Sequence, residues 1–66
     1  MGNPEPQPKD ANTFSVLTIK AITARAYDHS VLLAAVRLLM ANPPGDNFPS
    51  KPEDYATYLI QRARGL

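Results

Sequence analysis

From Val31 to Ala41 the chain reads VLLAAVRLLMA, and Arg37 is the only residue in that run that is not apolar. A helix that is apolar on every side is normally interior or membrane-spanning. The rest of this chain offers too little material to enclose one completely. The surplus apolar residues are Leu32, Leu33, Val36, Leu39 and Met40. Positions 32, 36, 39 and 40 follow one seam, and positions 31, 35 and 38 follow another about 100° away. One seam can meet the chain's own flanking helices, which leaves the other uncovered. Leu32, Val36, Leu39 and Met40 are therefore the expected interface of a homodimer, since closed twofold dimers are the commonest soluble oligomers.

Residues 13–26 (TFSVLTIKAITARA) send a mixed signal. Phe14, Val16, Thr18, Ile19, Ile22 and Thr23 are β-branched or aromatic and favour a strand. Phe14, Leu17, Ala21, Ala24, Asp28, Val31, Ala35 and Leu38 nevertheless follow unbroken spacings of three and four, the seam of a helix. A strand needs one face greasier than the other, and both alternating sets are mixed, so the pattern favours helix. At Tyr27-Asp28-His29-Ser30 the apolar pattern lapses for one turn. Asp28 or Ser30 can cap a new helix there. A single helix running through would leave Asp28 unpaired on the apolar seam.

Asn42-Pro43-Pro44-Gly45-Asp46-Asn47 cannot continue a helix, because the prolines remove donors and the glycine and asparagines suit turns. Ser50-Lys51-Pro52-Glu53 then has the spacing of a capping box. Glu53 and Asp54 face the positive end of the following helix dipole, Arg62 and Arg64 lie near its negative end, and Gly65 can terminate it. Ala56, Leu59, Ile60 and Ala63 form its inward stripe. The pattern thus predicts an all-α fold with helical segments at about 13–27, 29–41 and 51–64 and a loop at 42–50. It forms one small domain of two or three helices over 13–66, preceded by a disordered proline-rich tail over 1–12.

That tail places Pro4, Pro6 and Pro8 at every second position, which suits an extended, polyproline-like segment. It docks in a proline-binding groove or simply solubilises the chain. With 66 residues and no cysteine, the domain is too small for an ample core and has no disulfide or thiolate zinc site to staple it. Oligomerisation is the remaining common device. Seven basic against six acidic side chains give a net charge of +1, with no clustered field for nucleic acid or anionic lipid. The N-terminus lacks the basic and apolar pattern of a secretory signal. The longest apolar run, interrupted by Arg37, is short of the ~20 residues that span a bilayer. These features fit a soluble, cytoplasmic chain with no membrane partner.

Candidate chemistry is sparse. His29 is the single histidine. Its neighbour Asp28 points about 100° away on a helix, so the two cannot readily form an acid–base pair. Asp46, Glu53 and Asp54 lack the spacing of a calcium loop, and Pro43-Pro44-Gly45 lacks the glycines of a phosphate cradle. No catalytic, cofactor-binding or metal-binding residue is expected, and the chain does not read as an enzyme. Tyr55, Tyr58 and Arg62 recur at steps of three and four. One helix surface can then present two phenols and a guanidinium, types enriched in binding hot spots. The plainer alternative has both tyrosines leaning on the central helix with their hydroxyls in water, while Arg62 covers the Tyr58 ring or pairs with a carboxylate.

The leading expectation is a small regulatory or adaptor protein of inhibitor or anti-activator type. It is a helical homodimer that binds another, unidentified protein through helix faces, a style common among small phage and bacterial proteins. The competing layout is that of a dimeric ribbon-helix-helix transcriptional regulator, with Phe14–Lys20 as the strand in the DNA groove and 29–41 and 51–64 as its helices. Its strand would offer few base-reading groups beyond Ser15, Thr18 and Lys20. A small subunit of a larger assembly is the third reading.

Overall fold

The computed structural model describes residues 10–45 and 51–65. Among them are three α-helices and no strand: α1 (Ala11–Arg25), α2 (His29–Ala41) and α3 (Pro52–Arg64). The β-branched segment is thus helical. Asp10 starts α1 ahead of the expected position 13. In an extended conformation (φ −141, ψ 165), its carboxylate accepts from the Thr13 amide at 2.7 Å. That bond, the largest cause, holds the Asp10 carboxyl below the usual aspartate range. Residues 11 and 12, assigned above to the tail, form the first turn of α1. The rest of the expected tail, residues 1–9, lies outside the described residues.

The buried face of α1 is Phe14, Thr18 and Ile22, at steps of four. This corrects the seam drawn through Leu17, Ala21 and Ala24: the first two are half-buried beside it, and Ala24 is exposed. The displacement has a local cause. Thr18 can occupy the core because its hydroxyl donates to the Phe14 carbonyl at 2.8 Å, so only its methyl group meets apolar neighbours. No buried side-chain nitrogen or oxygen among the described residues lacks a partner.

The chain breaks between Arg25 and His29, as the lapse in apolar pattern suggests. Asp28 is extended, and its Oδ1 accepts from the amides of Ser30 at 2.8 Å and Val31 at 3.4 Å. It caps α2 in solvent and never enters an apolar seam. α2 in turn buries Ala35 and Leu39 and half-buries Val31, Leu32, Ala34, Val36 and Leu38. It is not enclosed on all sides: Leu33 is 45% and Met40 75% exposed.

The helix that both neighbours share is α3. α1 and α2 each pack chiefly against it and touch one another less. Ala56, Leu59, Ile60 and Ala63 are all buried, as their spacing predicts. They join Ile22, Ala35 and Leu39 in one core cluster. The two alanines let neighbouring backbones approach, while each fully buried leucine or isoleucine contributes about 1.5–3 kcal/mol of transfer free energy. α3 begins one residue later than the expected position 51, and the capping box, which needs Ser50, falls outside the described residues. Lys51 is the N-cap, with no side-chain capping bond, and Pro52 is the first helical residue. Proline suits that position because its fixed φ is helical and its missing amide donor would have had no partner there. Gly65 ends α3 with φ −83 and needs no left-handed backbone. No helix among the described residues is long and apolar enough to cross a membrane.

Candidate functional site

Tyr55, Tyr58 and Arg62 sit on one surface of α3, and the fold adds Phe14 to them. The Phe14 and Tyr55 ring centroids are 5.8 Å apart with the planes tilted by 49°. Tyr55 then stacks on Tyr58 at 6.1 Å with an interplanar angle of 12°. The Arg62 guanidinium carbon lies 5.8 Å from the Tyr58 ring centroid, within cation–π range. A graded row results: Phe14 is buried, Tyr55 half-buried, and Tyr58 half exposed at 50%.

Tyr55 anchors the row. Its hydroxyl, rather than standing in water, donates to the backbone carbonyl of Asn42 at 2.7 Å. Asn42 is the C-cap of α2, so this bond ties the first turn of α3 to the end of α2. Burial first, and the neighbouring Tyr58 second, push the Tyr55 phenol above the ordinary tyrosine range. Beside the row lies an open groove of about 620 Å³, whose walls include Leu38, Asn42, Asp54, Tyr58, Leu59 and Arg62. It offers an apolar floor, two aromatic rings, one cation and one anion.

The other residues singled out in the sequence lie elsewhere. Leu39 is buried in the core, Leu32 and Val36 are half-buried against it, and Met40 is 75% exposed. His29 is exposed at the first position of α2, beside an Asp28 whose carboxylate is engaged with backbone amides. Among the described residues no group of three or more His, Cys, Asp or Glu is placed to hold a metal ion. Phe14–Lys20, the strand of the ribbon-helix-helix layout, forms part of α1.

Arg25 was not singled out. From the last turn of α1 its Nη1 donates to the Glu53 carbonyl at 2.9 Å and to the Thr57 hydroxyl at 2.8 Å. It thereby ties the last turn of α1 to the first turns of α3. The roles of Phe14 and Asn42 were likewise missed, since both depend on partners distant in sequence. Comparison of the chain with protein families, curated proteins and solved structures returns no match.

Proposed function

We propose that this chain is a small non-enzymatic regulatory or adaptor protein, a helical homodimer that binds another protein through the Tyr55–Tyr58–Arg62 surface of α3. The observation that carries the reading is the row itself. Tyr58 and Arg62 are stacked in order, supported from beneath by Tyr55, and open to solvent beside a groove. Aromatic rings and arginines already held in place lose little freedom on binding, which is how a few residues come to dominate an interface. The ribbon-helix-helix alternative is not favoured, because its reading strand coincides with the middle of a helix.

The test is a pull-down from the native host with tagged wild-type protein beside Arg62→Ala, paired with a DNA gel shift at ~150 mM salt. The expected result is a protein retained by wild type and lost from Arg62→Ala, with no sequence-selective shift of DNA. DNA binding through phosphates falls steeply with salt, because each neutralised phosphate releases a counterion. A submicromolar, sequence-selective shift that Lys20→Ala abolishes and Arg62→Ala leaves unchanged would contradict the proposal.

A further inference from the structure

The outward face of α2 has a symmetry that a single copy does not use. Ser30, Leu33, Ala34 and Arg37 lie along it, and by helical spacing the exposed Met40 continues it toward the end of the helix. Leu33 and Met40 are 45% and 75% exposed. Taken in pairs along the helix, Leu33 with Ala34 and Ser30 with Arg37 are each centred on the same point, midway between Leu33 and Ala34. In two antiparallel helices related by a twofold axis, residues equidistant from the axis on opposite sides face each other.

We infer that a second copy of this chain docks here, with the two α2 helices antiparallel and the twofold axis passing between Leu33 and Ala34. The inference rests on the homodimer reading above and replaces its Leu32, Val36, Leu39 and Met40 seam with the face Ser30, Leu33, Arg37 and Met40. Leu39 is spent inside each copy's core, whereas Leu33 and Met40 are exposed. At the axis Leu33 packs on the partner's Leu33 and Ala34, and Met40 of each copy lies beyond the first turn of the partner's helix. The small side chains of Ser30, Ala34 and Ala41 let the backbones come close.

Charge fits the same arrangement. Among the described residues Arg37 has no hydrogen bond or ion pair within its own chain. Antiparallel pairing sets it opposite the partner's Ser30, within a turn of the Asp28 carboxylate that caps that helix. Two such pairs form, one on each side of the axis. A parallel pairing would instead set the two Arg37 side chains against each other.

The chain contains no cysteine, so a single introduced thiol forms a disulfide only between copies. Leu33→Cys and Ala34→Cys are expected to give disulfide-linked dimers on mild oxidation, while Ala24→Cys on the exposed side of α1 does not. By light scattering at micromolar concentration the wild type is expected to give twice the 7.2 kDa chain mass. Leu33→Arg gives that mass once, with its helical circular dichroism unchanged. A wild type that is monomeric would overturn this inference and the homodimer reading together. A dimer that survives Leu33→Arg but is broken by Val16→Arg, on the exposed face of α1, would overturn the α2 pairing alone.

Discussion

Tyr55 joins three parts of the molecule. Its ring bridges Phe14 on α1 and Tyr58 on α3, and its hydroxyl reaches the Asn42 carbonyl at the end of α2. Tyr55→Phe keeps the ring and removes one neutral hydrogen bond, so thermal denaturation should show a loss of about 0.5–1.5 kcal/mol. The same residue sets an alkaline limit. Its pKa is raised in the folded chain, chiefly by burial, so the folded state holds the proton more tightly than the unfolded state. That contribution is complete below the ordinary tyrosine value of about 10 and is lost as pH rises through the higher folded value. The melting temperature should therefore fall above about pH 10, and Tyr55→Phe should weaken the dependence. At the other end of the scale Asp10, with its pKa lowered by the Thr13 amide, favours the fold above the ordinary aspartate range and ceases to do so as acid protonates it. Asp28, which accepts from two amides at the start of α2, is the cap with the larger expected effect on stability. Asp28→Ala should cost about 0.5–2 kcal/mol, read as a drop of several degrees in melting temperature.

At the scale of elements, what was readable in the sequence depended on whether a helix states its own face. α3 does: acids at its start, arginines at its end and four apolar positions on one side name both its ends and its buried stripe. α1 does not. Apolar residues surround it almost evenly, so only the partner helix decides that Phe14, Thr18 and Ile22 turn inward. The break at Asp28 was legible because a carboxylate in an apolar run is costly unless it caps. The aromatic row was legible as far as it lies within α3. Phe14 and Asn42 reach it from other elements, Arg25 reaches α3 at Glu53 and Thr57, and no spacing along the chain encodes those contacts. Two substitutions test the arrangement. Arg25→Ala removes both bonds from α1 to α3 and, for so exposed a group, should cost about 1 kcal/mol. Ile22→Ala opens the core where α1 meets α3. A loss of about 2–5 kcal/mol equals most of what a core this small supplies, so circular dichroism should show a largely unfolded chain at ambient temperature.

Across the whole molecule, the amphipathic helix and the apolar helix exchange their expected places. The segment richest in apolar residues lies at the side and keeps Leu33 and Met40 in solvent, whereas α3, charged at both ends, is shared by the other two. That exchange leaves two separate outward surfaces, the aromatic row on α3 and the apolar face of α2. A binding role for the first requires that Tyr58 matter more to a partner than to the fold. The most direct measurement is therefore made on Tyr58→Ala, comparing its melting temperature and its retention of the partner with those of the wild type. Tyr58 is half exposed and engaged by one ring and one guanidinium, so its removal should cost the fold about 1–2 kcal/mol in ring contact and half-buried area together. Affinity for the partner should fall by about 30-fold or more, the ~2 kcal/mol typical of an aromatic anchor. A variant that melts far below the wild type while the fraction that remains folded binds the partner undiminished would show that Tyr58 serves the fold alone, and would contradict the account.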